Sequence, residues 1–347
     1  MSKSFVHLHA HTEYSMLDGA AKIQTYINRV KELGQPGAAI TDHGNLYGAL
    51  EFHKVAIKND INPIIGYEAY VTTESRFERP DRDKNKRYHL TLLAENNEGY
   101  WNLVKLASKA YTEGYYYKPR LDYELMREHS KGIIALSGCL GGEIAQHLAP
   151  DGSTEEGNSQ GERSYEKALS KASLYQEIFG KENFFIELHN HGIKQQEIIL
   201  PDLLNISKEI GAPLVATNDS HYVHTEDSSA HDALLCVQTN ATIDDNTRFK
   251  FEGQGYYVKS SDEMRNLFPQ EQYPDACDNT LAISERVKYK FKTGQYFLPA
   301  FPVQDPELTA EEYLKNLVYE GAKNVYKELS EEITERIEYE LDVINSM

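Results

Sequence analysis

Short apolar runs and amphipathic segments take turns along the first 218 residues, and this alternation leaves few architectures open to the chain. The runs are Phe5 to His11, Ala38 to Thr41, Pro63 to Val71, Tyr88 to Ala94, Gly132 to Ser137, Phe184 to His189 and Pro213 to Asn218. Between them, apolar residues recur at helical spacing in Lys22 to Leu33, Gly48 to Lys58, Glu98 to Ala110, Gly142 to Leu148, Tyr165 to Phe179 and Gln195 to Ile210. Strand and helix in alternation imply a parallel sheet. Runs this short and apolar imply a sheet covered on both faces. A closed barrel and an open doubly wound sheet both meet that description.

Polar residues at the strand ends separate the two. His9 and His11, Asp42 and His43, Glu68, Cys139, Asp219 and His221 stand at or just after several different runs. A (β/α) barrel gathers the ends of all its strands at one mouth. An open sheet gathers them only near a switch point. The distribution therefore favours a barrel. His89 is the awkward member, because it opens its run instead of closing it.

The opening stretch, His7-Leu8-His9-Ala10-His11, alternates imidazoles with apolar residues, which puts His9 and His11 on one face of an extended segment. A polar strand with solvated histidines would show the same alternation. The wider pattern argues for more: His9, His11, Asp18, His43, Glu68, His89, Cys139, Asp219 and His221 form one set of nitrogen, oxygen and sulfur donors. That set suffices for two or three divalent ions of the zinc or manganese type. Its formal charge of −4 (three carboxylates and one thiolate) against +6 for three ions leaves a site that attracts phosphate. Clustered ions activate water and stabilise both oxygens of an in-line displacement, which is phosphoester hydrolysis. His189 and His191 repeat the i, i+2 spacing and are candidates for supporting positions behind the ligands. His53, His129, His147, His224 and His231 are assigned no chemistry.

With 54 acidic and 36 basic residues, the net charge of −18 argues against a broad cationic grip on duplex DNA. It does not argue against a nucleic-acid substrate, since bound metal ions can supply positive charge at one spot. Local exceptions exist. Arg76 to Arg87 carries six basic and three acidic residues, and Tyr115 to Arg120 interleaves aromatics with cations. Arg76, Arg79, Tyr116, Lys118 and Arg120 are accordingly the candidate DNA contacts, with solvated loops as the plainer alternative. Asp151 to Gly161 reads as a surface loop. Three scattered cysteines, no apolar run long enough to span a bilayer and no signal-peptide pattern point to a cytoplasmic protein without a membrane partner. The character changes after about residue 275: residues 1–275 form the expected barrel, and 276–347 a linker and a helical extension. There Thr280 to Val287, Glu311 to Leu329 and Glu331 to Ile344 read as helices, with Thr309 as an N-cap.

The residues also carry a family likeness. His9-Ala10-His11-Thr12 with Ser15 and Asp18-Gly19, Thr41-Asp42-His43-Gly44 and Thr217-Asn218-Asp219-Ser220-His221-Tyr222 resemble the PHP (polymerase and histidinol phosphatase) domain. Phe5 to His9, Tyr14 to Gly19, Pro63 to Glu68 and Phe249-Lys250-Phe251 resemble, more closely, the N-terminal region of bacterial replicative DNA polymerase III alpha subunits. The resemblance implies a distorted seven-stranded (β/α) TIM-like barrel holding up to three zinc or manganese ions. By position, it implies one ion on His9, His11, Glu68 and Asp219, a second on Glu68, His89 and Cys139, and a third on Asp18, His43 and His221. It implies a 3′–5′ exonuclease acting on single-stranded DNA ends beside the rest of a polymerase and its replisome subunits, with His9, His11, Glu68 and Asp219 at the reaction. The alternatives are a metal-stabilised scaffold for a separate exonuclease and a small-molecule phosphoesterase. The segment from Pro299 onward resembles the approach to a polymerase palm whose catalytic core has no counterpart here, so no polymerase activity is expected of these 347 residues.

Overall fold

The computed structural model describes residues 4–81, 86–150, 162–296 and 298–347. The loop expected at Asp151 to Gly161 and four positions of the basic loop lie outside the described residues. The chain divides into two compact units, Met1–Phe291 and Lys292–Met347.

In the first unit seven strands form one curled sheet: β1 (Gly37–Ile40), β2 (Asn62–Val71), β3 (Tyr88–Ala94), β4 (Arg120–Leu121), β5 (Ile133–Leu136), β6 (Phe184–Leu188) and β7 (Leu214–Ala216). Their order is β1-β2-β3-β5-β6-β7, with β4 paired to β2 off this path. The opening segment closes the circle. Its backbone alternates between two neighbours: Ala39 N–H donates to His7 and Thr41 N–H to Ala10, while Ser220 N–H donates to His9 and His11 N–H to Ser220. Single bridges at His7–Ala38 and Ala10–Ser220 thus replace the continuous strand expected from Phe5 to His11. The result is a distorted α/β barrel.

The sheet is not all parallel. β3 runs antiparallel to both β2 and β5, whereas β1–β2, β2–β4, β5–β6 and β6–β7 are parallel. The reason is visible in the sequence. A parallel return needs a crossover of a dozen or more residues, usually a helix, and no helical pattern separates Val71 from Tyr88. The reversal also removes the difficulty with His89: the start of an antiparallel strand lies at the rim where its neighbours end.

Every second residue of β2, β3, β6 and β7 faces inward and builds tiers. Ile64, Leu93, Phe185 and Val215 join Val6, Leu8 and Ile134 in an apolar floor. Outside, helices α1 (Ile23–Glu32) and α2 (Ala49–Lys58) cover one part of the sheet; α3 (Asn97–Thr112), α4 (Tyr123–Glu128), α5 (Glu143–Leu148), α6 (Tyr165–Phe179) and α7 (Lys194–Ile210) cover the rest. Six helices stand within a few residues of their expected bounds. α4, α8 (Ser228–Thr239) and α9 (Ser261–Leu267) were not foreseen. None of the described helices is long and apolar enough to cross a membrane.

The first unit runs past residue 275. Helix α10 (Asp278–Arg286) sends Ile283 into the apolar floor, together with Val287. Arg286 bonds Glu95, and Tyr289 stacks on Tyr100 at 4.4 Å. The helix plugs the barrel, so the unit closes only at Phe291. The second unit holds α11 (Ala310–Val325), capped by Thr309 with Glu312, and α12 (Glu331–Ser346), capped by Ser330. Tyr319 and Lys315 of α11 both bond Glu338 of α12.

Packing of α3 on the sheet depends on a glycine. A Cβ on Gly99 would stand 1.7 Å from the Gly132 carbonyl oxygen, with backbone on both sides. Gly99→Ala therefore forces α3 away from β5. We expect it to lower stability by about 1–3 kcal/mol, measured by urea unfolding of the 347-residue chain.

Candidate metal centre

Above the apolar floor lies a polar tier organised by Glu187, an inward residue of β6 that is 1% exposed. Its Oε1 accepts from His9 Nδ1 at 2.8 Å and Thr217 Oγ1 at 2.6 Å, with His189 Nε2 at 3.1 Å. Its Oε2 accepts from Gly138 N–H at 2.8 Å and Thr91 Oγ1 at 3.4 Å. Five segments of chain thus converge on one carboxylate. Burial alone would protonate it, but His9 and His189 hold its pKa well below the usual carboxylate range.

The next tier carries the donors. His9 Nε2 and His11 Nε2 lie 3.2 Å apart, and Asp219 Oδ1 is 3.4 and 3.2 Å from them. Glu68 Oε1 is 3.3 Å from His9 Nε2 and 3.0 Å from His89 Nδ1. Cys139 Sγ stands 3.6 Å from both Glu68 Oε1 and His89 Nδ1. Asp18 Oδ2 is 2.7 Å from His43 Nε2 and 3.4 Å from His221 Nε2. All nine residues expected from the sequence therefore meet at one rim. His43 belongs to two neighbourhoods, since its Nδ1 also lies 2.7 Å from Glu68 Oε2.

The orientation of these side chains is imposed from behind. His9 gives its Nδ1–H to Glu187, which turns Nε2 to the rim. His11 Nδ1–H donates to Ser15 Oγ at 2.9 Å, and Ser15 in turn donates to Asp42 at 2.7 Å. His221 Nδ1–H donates to the Asp219 carbonyl at 2.8 Å. Asp219 itself holds φ at 45°, an uncommon backbone state for a residue other than glycine. Asn218 secures this turn by donating to the Gly255 and Tyr257 carbonyls. Outer partners of this kind fix tautomer and aim in metal sites.

Electrostatics follow from the crowding. Burial, with His43 and His221 alongside, lowers the His11 pKa to about 3 and keeps it neutral. Burial also opposes charge on His9, but Asp219, Glu187 and Glu68 outweigh it and raise the pKa well above 6.5. His43 is raised against its burial by Glu68 and Asp18, and His221 by Asp18 and Asp219. Against their own burial, Glu68 is held well below the carboxylate range by His89, His43 and His9, Asp18 by His221 and His43, and Asp219 by His9 and His221. Burial, then Glu68 and Asp219, push the Cys139 thiol up.

The donor set fits divalent metal ions. Asp18 Oδ1, Glu68 Oε2, Asp219 Oδ1, His43 Nδ1 and His89 Nε2 are buried without a hydrogen-bond partner. His43 Nδ1 and Glu68 Oε2 approach closely, yet neither makes a hydrogen bond. The great majority of buried polar atoms in folded proteins are satisfied, so five orphans in one cluster call for a partner. His11, His43 and His221, then His9, His11 and Asp219, then His43, Glu68 and His89 each present ligand atoms within 4.8 Å of one another.

Other expected residues fall elsewhere. Arg120 is fully buried and donates to the Gly114, Arg76 and Glu78 carbonyls. Arg76, 6% exposed, pairs with Glu113 at 2.7 Å and Asp122 at 3.1 Å. Arg79 donates to the Arg76 and Glu113 carbonyls, and Tyr116 to the Pro80 carbonyl. These four brace the loop, and burial keeps Arg76 and Arg120 from reaching a phosphate, which corrects the DNA-contact expectation for them. Lys118 lies nearer the rim: it bonds Tyr70 Oη at 3.1 Å, and Tyr70 stacks on His43 at 6.0 Å. His189 supports Glu187, whereas His7 turns away to the Lys259 carbonyl at 2.9 Å. His191 Nδ1 accepts from Gln196 Nε2 at 2.9 Å, and its Nε2–H donates to the Asn218 carbonyl at 3.0 Å. Two residues were missed. Glu187 had a signal, as a carboxylate at an inward position of an otherwise apolar strand. His231, 4.0 Å from Asp18, had none, because α8 was not foreseen.

Comparison with known proteins adds the following. A model of the PHP domain matches residues 7–191. The chain is 43% identical over 345 residues to the DNA polymerase III subunit alpha of Treponema pallidum, covering 99% of this chain and 28% of that protein. It is 44% identical over 335 residues to the same subunit of Thermus aquaticus, covering 93% of this chain and 26% of that one. The chain thus spans less than a third of the length of these curated relatives.

Two outcomes are expected from this geometry. Glu187→Gln replaces an acceptor-only carboxylate with an amide that must point a donor at another donor. Affinity for Mn²⁺, measured by competition with a chromophoric chelator, should fall roughly 10–100-fold. The second concerns pH. Imidazoles raised above 6.5 stabilise the metal-free fold below that pH and lose their contribution as pH rises through the folded values. The depressed carboxylates lose theirs as pH falls below about 4. Metal must displace protons from those imidazoles and from Cys139, so the rise in Tm on adding Mn²⁺ should be larger at pH 8 than at pH 6.

Proposed function

Because the chain belongs to the PHP domain family, we propose that it is the PHP portion of a bacterial DNA polymerase III alpha subunit and a metal-dependent phosphodiesterase that removes nucleotides from single-stranded 3′ DNA ends. Its partners are then that DNA end, the remainder of the polymerase and other replisome subunits in the cytoplasm. The convergence of nine donors, several of them buried without partners and seven of them lining one cleft, carries this reading.

The cofactors are two or three Zn²⁺ or Mn²⁺ ions. His9, His11, Glu68 and Asp219 hold one, Glu68, His89 and Cys139 a second, and Asp18, His43 and His221 a third, with His43 placed to share between the last two. Bound ions of this kind supply an activated water and neutralise charge on the reacting phosphate. The chain supplies the rest. Glu187 and the Ser15–Asp42 pair hold His9 and His11 in register. Glu68, close to donors of all three sets, ties those sets together. Residues at the cleft wall then orient the phosphodiester over the floor.

Two other readings differ in what they predict. A small-molecule phosphatase would favour phosphate monoesters, and a scaffold would bind metal without cleaving. The intact donor set speaks against the scaffold. His11→Ala and Asp219→Asn should each lower release of nucleotides from a 3′-labelled single strand by at least about a hundredfold, with the fold retained by circular dichroism. Unchanged cleavage in both variants would sink the assignment.

A further inference from the structure

The cleft above the donors has an empty volume of about 780 Å³ and one wall of different chemistry. Phe251 stands edge-on to His221 at 4.7 Å and to His231 at 4.9 Å, so the wall begins beside the cluster itself. Tyr256 packs on Phe251 at 4.6 Å and stacks on His191 at 4.0 Å. Phe249 continues the ladder outward, edge-on to Phe251 at 5.8 Å and 82°, with its ring partly open to the cleft. Lys250, exposed, lines the same cleft. This segment is anchored. Arg248 makes two bonds of 2.6 Å to Asp232 of α8, and Asn218 holds the Gly255 and Tyr257 carbonyls.

An aromatic face with a cation beside it, next to a site that attracts phosphate, matches a nucleotide better than a small polar monoester. A base has two flat faces for an aromatic ring, and stacking of this kind tolerates any base. We infer that this wall receives the terminal nucleotide of a single strand, with Phe249 stacking on the base and Lys250 meeting the phosphate. The inference rests on reading the cleft as a phosphodiesterase site and names the part of the substrate that the wall holds. In a chain of net charge −18, a lysine at this mouth also gives a polyanion a local point of entry.

The test separates the two readings. A short deoxythymidine strand ending in 2-aminopurine, its last linkage a phosphorothioate, is titrated with the Mn²⁺-loaded full chain. Stacking quenches its fluorescence. Phe249→Ala should abolish the quenching and weaken binding about tenfold, while Phe249→Trp restores both. In parallel, Phe249→Ala should lower kcat/KM about tenfold on an ordinary strand yet leave cleavage of a strand ending in an abasic residue unchanged. Lys250→Gln should weaken binding and reduce its salt dependence by about one phosphate contact. Native-like quenching and binding by Phe249→Ala overturn the inference and leave the hydrolytic reading standing. Quenching by the native chain without cleavage of any ordinary strand does the reverse. The absence of both removes both.

Discussion

A carboxylate sealed inside a barrel has to be surrounded by donors, and much of the site follows from how Glu187 meets that requirement. An ionised group without partners in a dry interior would cost several kcal/mol. Here the compensation comes from His9, Thr91, Gly138, His189 and Thr217, contributed by five separate stretches of chain. The same bonds that stabilise Glu187 fix the position of each contributor. His9 is aimed by Glu187 directly, and Asp219 lies two residues beyond Thr217 on the same inward row. The polar tier is therefore the template on which the tier of donors is set.

The reversal of β3 matters almost as much. Had the strand run with its neighbours, His89 would lie at the barrel's lower end, amid the apolar floor. Running backwards, β3 places Leu93 in the floor, Thr91 beside Glu187 and His89 against Glu68 at the rim. The inward rows of β6 (Phe185, Glu187, His189) and β7 with its extension (Val215, Thr217, Asp219) rise through the same tiers. Apolar residues below, hydrogen-bonding residues between and ligand atoms above give a site whose donors are rigid before any ion arrives.

Cations in this acidic chain serve two separate purposes. Arg76, Arg79 and Arg120 spend their donors on carbonyls of the loop and on carbonyls and carboxylates at the ends of α3 and α4, tying the loop to those helices. Arg248 does the same for the segment that carries Phe249 and Phe251. Lys250 differs in being exposed at the cleft. Composition could not separate these roles, because a buried arginine and a phosphate-binding one look alike in a list of charges.

By itself, the sequence determined six of the seven strands and most of the helices, and singled out nine candidate donors. It missed the short β4 and expected a strand where the opening segment makes only single bridges. Period-two and helical spacing are local properties, and His-Asp pairs beside strand ends are visible one run at a time. It also held the reason for the antiparallel strand, since no helical pattern separates β2 from β3. Three things waited for the tertiary structure. The grouping of donors depended on distances across the barrel, which is why His43 proved to serve two neighbourhoods. The role of Glu187 required all five of its partners to be in place, and all but His189 are distant from it in sequence. The boundary of the first unit depended on where Ile283 buries its side chain, and an amphipathic helix declares that it has an apolar face without declaring what covers it. Local pattern follows from short-range sterics and hydrophobic period; convergence is decided only when the barrel closes.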